Sequence, residues 1–224
     1  MHTAPPGEWV RLERHRLRRA LCGAALFAAA GGAYGYTATL YPESPQTVYL
    51  QVGVGNFTNC YTCNPQGQPE NNTTVNNETV SVAATAVGNG APQAMTTNST
   101  ATQSFWDYYV YCSVPGQLYI GGFYRTTGAT TAAAQVIATV PTVLTDTAGD
   151  KLPFSSIKWT SSGNGDTGGE PFPAGTFVNG GQQSVGSMAS NTWNESCWTF
   201  SYSNTTVPPA GTYTGVVLYT MSAP

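Results

Sequence analysis

The last thirty residues of the chain carry two runs with the composition of β-strands. Residues 193–203 and 212–221 consist largely of Thr, Ser, Val, Tyr and Trp, and residues 204–211 between them hold two prolines and a glycine. Aromatic side chains and side chains that branch at Cβ favour strands, whereas Pro and Gly mark the connections between strands. The segment therefore predicts two antiparallel strands joined by a turn at residues 204–211.

Similar short runs recur along most of the chain. Val48, Leu50, Val52 and Val54 alternate with other residues, as the buried face of a strand requires. Residues 105–113 and 117–124 predict a second hairpin, and Pro141 predicts a break or an edge position in the run 134–144. Further strand-like runs occupy residues 79–87, 154–160 and 183–189.

The chain is poor in the residues from which helices are usually built. Only 8 of its 224 residues are Lys or Arg and 11 are Asp or Glu, and no long stretch repeats apolar residues at the helical period. Its 13 Tyr and 5 Trp residues argue for a packed core rather than disorder. We therefore predict one all-β domain over residues 47–224, an antiparallel β-sandwich of about ten strands.

The first 35 residues have the pattern of a secretory signal peptide. Five arginines between residues 11 and 19 precede an apolar stretch at residues 20–30, and small residues occupy the cleavage-site positions Ala33 and Gly35. The apolar stretch is about half of the ~20 residues that a membrane-spanning helix needs. We predict a cleaved signal at residues 1–35, an extended leader at residues 36–46, and a secreted, periplasmic or cell-surface protein without a membrane span. A retained N-terminal anchor is the alternative.

Removal of residues 1–35 leaves an acidic chain without histidine. Three basic and nine acidic residues remain, a net charge of −6, and both histidines, His2 and His15, lie in the signal segment. The lack of a basic patch excludes nucleic acid as a partner. Because the chain has neither a histidine base nor a Gly-x-Ser-x-Gly sequence, we predict a protein without catalytic activity and without a cofactor.

Acidic residues leave two chemical alternatives open. Asp146, Asp150, Asp166 and Glu170 could supply oxygen ligands to Ca²⁺. Asp166 and Glu170 could also form a carboxylate pair of the kind that hydrolyses glycosides. The glycine-rich segment 161–169 is a poor platform for holding two carboxyl groups at a fixed separation, so we assign these side chains to loop solubility.

Four cysteines remain after the signal segment, at positions 60, 63, 112 and 197. An even number in an exported chain indicates two disulfides, for which three pairings exist. We favour Cys60–Cys63 together with Cys112–Cys197, because the first pair lies in a turn-like segment and the second pair lies in strand-like runs. The redox alternative for the Cys-x-x-Cys sequence lacks the strand-to-helix context that such motifs require.

Aromatic residues at 105–111 suggest a carbohydrate contact. Alternation places Trp106 and Tyr108 on one face of this run and Tyr109 and Tyr111 on the other. One face is expected to be core. The other face would then present an exposed aromatic strip that could stack on a glycan.

The end of the chain resembles bacterial pilin-like subunits of the chaperone–usher and spore-coat-U type. The residues that carry the resemblance are Pro-Ala-Gly-Thr-Tyr-Thr-Gly-Val-Val-Leu-Tyr at 209–219, with Gly211 fourteenth from the end. These pilins also carry an aromatic residue next to last, where this chain has Ala223. The resemblance implies an immunoglobulin-like sandwich that lacks one strand and is completed by a strand from a chaperone or a neighbouring subunit.

The donor of such a strand would be the segment Val48, Leu50, Val52 and Val54 or the leader before it, unless the segment 48–54 pairs within its own domain. We therefore expect a non-catalytic structural or adhesive subunit that interacts through an open sheet edge. Its partners would be copies of itself, other surface subunits and a periplasmic chaperone. A carbohydrate-binding β-sandwich that uses the aromatic residues around Trp106 is the alternative.

Overall fold

The computed structural model describes residues 46–54, 75–104, 109–126, 132–165, 169–222 and 224. These residues form thirteen strands and one short 3-10 turn, Phe154–Ser156, and the ladders between strands are antiparallel. The strands are β1 (Gln46–Val52), β2 (Glu78–Thr79), β3 (Gln93–Ala94), β4 (Thr96–Thr97), β5 (Leu118–Thr126), β6 (Ala134–Val140), β7 (Val143–Thr145), β8 (Lys151–Pro153), β9 (Ile157–Ser162), β10 (Gly175–Thr176), β11 (Gly181–Met188), β12 (Trp193–Tyr202) and β13 (Leu218–Ser222).

The all-β fold class is confirmed, with thirteen strands where we expected about ten. Several of the additional strands have only two residues, which a pattern of alternation cannot detect. β1 begins one residue before the predicted domain boundary. The signal segment and residues 36–45 of the leader lie outside the described residues, and the immunoglobulin-like connectivity stays a prediction.

The larger of the two main sheets has the strand order β1-β5-β12-β9-β10, with β3 paired to the end of β12. β5 and β12 lie at its centre and are buried along most of their length. Gly122 on β5 allows close packing, because a Cβ at this position would overlap the carbonyl oxygen of Tyr49 on β1. The centre of this sheet is therefore covered on both faces.

The smaller sheet has the order β11-β6-β13 and packs on the larger one. Along β6 the burial alternates, so that Val136 and Ala138 face the core while Gln135 and Thr139 face solvent. Its buried residues join Ile120, Trp198 and others of the larger sheet in one hydrophobic cluster. Two antiparallel sheets around one shared core make the domain a β-sandwich.

Aromatic side chains fill the middle of the shared core. Trp198 is fully buried, and its ring centroid lies 5.1 Å from that of Trp159 and 5.9 Å from that of Phe200. The indole N–H of Trp198 donates to the carbonyl of Phe172 at 2.9 Å. The buried donor is thus satisfied, as a tryptophan in a core requires.

The predicted C-terminal hairpin is wrong, although both of its arms contain strands. β12 belongs to the larger sheet and β13 to the smaller one, so residues 203–217 cross from one layer to the other. β12 pairs with β9 on one edge, and on the other edge it pairs with β5 and, at its C-terminal end, with β3. No edge of β12 is left for β13, which pairs with β6 instead.

The second predicted hairpin is wrong for the same reason. β5 pairs with β1 on one edge and with β12 on the other, so it has no edge for residues 105–113. Of that run, residues 109–113 are described, and they contain only an isolated bridge between Val110 and Gln103.

Two further strand predictions have different outcomes. The run 134–144 breaks at Pro141, as expected, and β6 before the break is the central strand of its sheet. The run 79–87 contributes only Thr79 to a strand, although Val80 and Val82 still pack on the core. Alternation thus indicated which side chains are buried there but not whether the backbone joins a sheet.

Candidate functional site

The edge strands β1 and β13 lie close together on one side of the sandwich. Among the described residues, β1 ends the larger sheet and pairs with β5, and β13 ends the smaller sheet and pairs with β6. The two strands approach each other, yet no ladder joins them in the described part of the chain. Two sheet edges therefore lie side by side without a ladder between them, and we call this place the edge seam.

The segment 48–54 pairs within its own domain. β1 continues along β5 through seven residue pairs, from Gln46 with Thr126 to Val52 with Ile120. Leu50 and Val52 pack against the shared core, while Tyr49 and Gln51 on the opposite face are buried. This segment is an integral strand of the sandwich, so we do not retain it as the donor strand.

The outward edge of β1 is capped at one end by a side chain. The amide of Gly53 donates to the carbonyl of Tyr119 on β5, so by alternation Val48, Leu50 and Val52 direct their backbone groups away from β5. The Asn76 side chain donates to the carbonyl of Val52 at 3.0 Å and accepts from the amide of Val54 at 3.1 Å.

This side-chain amide occupies the place that a neighbouring strand would take. Further along the same edge, the outward backbone groups of Val48 and Leu50 have no such cap among the described residues. The side chain of Val48 is 47% exposed.

The outward edge of β13 carries none of the usual protection against pairing. The strand has the sequence Leu-Tyr-Thr-Met-Ser, without a charge or a proline, and its ladder to β6 has no bulge. Natural edge strands are commonly blunted by Lys, Pro or a bulge. Here Leu218 is 61% exposed, and Val216 just before the strand is 66% exposed.

A partly buried carboxyl group lies next to the seam. Glu78 on β2 has one carboxylate oxygen that is buried and has no hydrogen-bond partner. Burial raises the pKa of Glu78, and a hydrogen bond from Thr97 offsets part of that rise. On β13, burial and the charge of Glu78 both raise the pKa of Tyr219. Charged Glu78 is therefore unfavourable in this position.

The predicted disulfide between Cys112 and Cys197 is confirmed. Its Cα atoms are 5.5 Å apart, and it packs with Tyr111 and Tyr119 in a small second cluster. The side-chain amide of Asn164 contacts the sulfur of Cys197 at 3.2 Å and also donates to the carbonyl of Tyr111. Cys60 and Cys63 lie outside the described residues, so their pairing stays a prediction.

The predicted aromatic strip is not formed as expected. Tyr109 is 59% exposed, but Tyr111 is only 7% exposed because it packs beside the disulfide. The two were expected on one face, and they separate because residues 109–113 are not a regular strand. Trp106 and Tyr108 lie outside the described residues.

Two of the four acidic residues that we considered for chemistry, Asp146 and Glu170, have structural partners. Asp146 accepts from the amides of Ala148 and Asp150 and so stabilises its own turn. Glu170 accepts from the buried hydroxyl of Ser196 at 2.8 Å. Within the described ranges no three acidic, Cys or His side chains converge as metal ligands would, and Asp166 falls outside those ranges.

The chain matches no family model, no curated protein and no solved structure. What can be said of its class therefore comes from the fold itself: it is an antiparallel β-sandwich with a disulfide and with two sheet edges that meet at a seam. The part of the chain described by the structure contains no helix that is long and apolar enough to cross a membrane.

Sequence reasoning missed Asn76 and Glu78, the polar residues at the seam. Asn76 lies in a run of asparagines, and nothing in its local pattern distinguishes an edge cap from a loop residue. Glu78 directly precedes the predicted run 79–87, and a carboxylate next to an alternating strand-like run is the one signal that could have identified it.

Proposed function

We propose that this protein is an exported, non-catalytic structural subunit that associates through the edge seam. The observation that carries the proposal is the unprotected edge of β13, which is uncharged, free of proline and flanked by exposed Leu218 and Val216. Such an edge is a template for an added strand, because its backbone N–H and C=O groups can extend the ladder into another chain.

The strand that fits this edge best is the leader of a second copy. Residues 36–41 read Tyr-Thr-Ala-Thr-Leu-Tyr, which places Tyr36, Ala38 and Leu40 on one face and two threonines with Tyr41 on the other. The segment has no charge, in keeping with β13. Pro42 and Pro45 follow it, so the extended pairing would end before β1 of its own copy begins.

Two contributions to the free energy would favour this association. Each backbone hydrogen bond contributes roughly 0.5–1.5 kcal/mol net, and burial of a side chain such as Leu40 adds about 1.5–3 kcal/mol. Against them stand the entropy of ordering the leader and the translational cost of association. The alternating apolar face is therefore needed, since backbone pairing by itself would be marginal.

Sedimentation analysis of the exported chain tests this proposal. The wild-type protein is expected to form oligomers, and Leu218→Lys on the edge or Leu40→Lys in the leader is expected to shift it to monomer. Val207→Lys, at an exposed aliphatic residue outside β13, and Thr39→Lys, on the opposite leader face, are the matched controls and should keep the oligomer. A monomeric wild type at tens of micromolar, or equal behaviour of Leu218→Lys and Val207→Lys, would exclude self-assembly at this seam.

A further inference from the structure

The outward face of the smaller sheet presents a grid of nine uncharged side chains, which is interrupted in β11 by a bulge between Ser184 and Gly186. The registers of β13 and β11 on β6 align three rows across the three strands. These rows are Leu218–Thr139–Gln182, Thr220–Ile137–Ser184 and Ser222–Gln135–Ser187. All nine residues are exposed except Ile137 at the centre, which is partly buried. We call this surface the neutral face.

The neutral face has a distinct chemistry. It presents five hydroxyl groups, two amides and two aliphatic side chains, and no residue of β6, β11 or β13 is charged. Only 8% of all residues in the chain are charged, and the neutral face shares this low charge, so that hydroxyl, amide and aliphatic groups alone define its chemistry.

Much of the hydrogen-bonding capacity of this face is unused within the protein. Ser184 donates to Gln135 at 3.2 Å, and Thr220 reaches the carbonyl of Ile137 at 3.5 Å. In the described part of the chain, the side chains of Thr139, Gln182, Ser187 and Ser222 make no hydrogen bond. These donors and acceptors are available to a ligand.

We propose that the neutral face binds a neutral polysaccharide, a polymer of sugars without carboxylate, sulfate or phosphate groups. Sugar hydroxyls both donate and accept, as do the Ser and Thr hydroxyls and the Gln amides of the grid. Ile137 and Leu218 offer apolar contact to the C–H groups of a sugar ring. A charged polymer would find no counter-charge here, and a stable protein partner would need a more apolar centre.

The dimensions of the face favour a polymer over a single sugar. Strands lie about 4.8 Å apart and alternate residues about 6.8 Å apart, so the grid covers roughly 10 Å by 14 Å. It is a sheet surface and not a pocket, and each hydrogen bond exchanged with water contributes only about 1 kcal/mol net. Useful affinity therefore requires several consecutive sugar units on one surface.

Depletion of the exported chain from solution by insoluble polysaccharides tests the proposal. The probes are cellulose, chitin and starch granules, with carboxymethylated cellulose as the anionic counterpart. At least one neutral polymer is expected to retain the wild type, and the anionic counterpart is expected to retain less. Thr139→Lys, in the middle of the row Leu218–Thr139–Gln182, should weaken retention about tenfold, which corresponds to about 1.4 kcal/mol. Thr160→Lys, an exposed threonine on β9 of the other sheet, is the matched control and should bind as the wild type does.

Gln182→Ala on β11 provides a second variant that adds no charge, and it should weaken retention by a smaller factor. Both positions lie away from the outward edge of β13, so self-association at the seam is not affected by them. Retention of the wild type by none of the three neutral polymers would overturn the proposal. So would equal retention of Thr139→Lys and Thr160→Lys, or retention that disappears on addition of salt and is therefore ionic.

Discussion

β12 and β13 have similar sequences and opposite environments. Both are rich in Thr, Ser and aromatic residues, but β12 lies at the centre of the larger sheet and β13 at the edge of the smaller one. Trp198 on β12 is fully buried, whereas Leu218 on β13 is mostly exposed. The difference shows that neighbours, not the strand's own composition, decide whether a run of this kind contributes to stability or to a surface.

The largest expected effect is a loss of stability when a side chain of β12, but not of β13, is truncated. Trp198→Ala removes the largest fully buried side chain and its contacts with Trp159, Phe200 and Tyr219. We expect the free energy of unfolding to fall by about 3–5 kcal/mol, measured by denaturant titration. Leu218→Ala on β13 should lower it by less than about 1 kcal/mol, because its side chain is already in water. Equal losses would contradict the assignment of core and edge.

The end of β12 offers a second test. Asn204 is fully buried with φ 51°, accepts from the amide of Gly88 at 2.9 Å, and donates to the carbonyl of Ala86 at 2.9 Å. Asn204→Ala leaves these groups without partners in a buried place, and we expect a loss of about 2–3 kcal/mol by the same titration. Thr205→Ala, at the exposed neighbouring residue, is the control and should change little. A loss as small as that of the control would mean that Asn204 does not hold residues 86–91 in place.

The smallest expected effect concerns the contact of β13 with Glu78. Because the pKa of Glu78 is raised in the folded protein, the folded state binds a proton more readily than the unfolded state. Its unfavourable contribution is therefore fully present above the raised pKa and disappears as the pH falls toward the ordinary value of 4.5. Glu78→Gln should stabilise the protein at pH 7.5. It should also make the free energy of unfolding depend less on pH between pH 7.5 and 4.5.

Denaturant titrations of the wild type and Glu78→Gln at both pH values measure the difference in the free energy of unfolding between the two proteins. The other carboxyl groups contribute equally to both proteins. Tyr219→Phe is a useful companion variant, because it keeps the ring that packs on Trp198 and removes the hydroxyl. A Glu78→Gln protein that is less stable than the wild type at pH 7.5 would contradict the proposed environment of this carboxyl group.

Local pattern identified many of the strands but not their partners. The runs at residues 183–189 and 193–203 overlap β11 and β12. The Cys112–Cys197 pairing was favoured because both residues lie in strand-like runs, and the disulfide forms although Cys112 lies outside the strands. The two hairpins failed because nearness in sequence was taken as pairing in space. In each case the predicted partner edge was occupied by a strand distant in sequence, such as β1 on β5.

The edge seam could be predicted only in part. The resemblance to pilin-like subunits implied an open edge, and the alternating pattern identified 48–54 as a strand. The internal pairing of β1 joins Val52 to Ile120, and the cap on its outward edge joins Asn76 to a residue 24 positions away, so neither contact is local in the chain. The neutral face was not anticipated, because it combines every second residue of three separate strands.

The amino-acid sequence by itself determined the all-β class and the alternation of buried and exposed side chains. These properties depend on backbone preference and on the two-residue period of a strand, both of which are local. Only the tertiary structure decided which strands pair, which edges stay open, and which uncharged side chains share a surface. Those outcomes depend on competition for a limited number of strand edges, and each edge is taken by whichever strand also buries its apolar face in the common core.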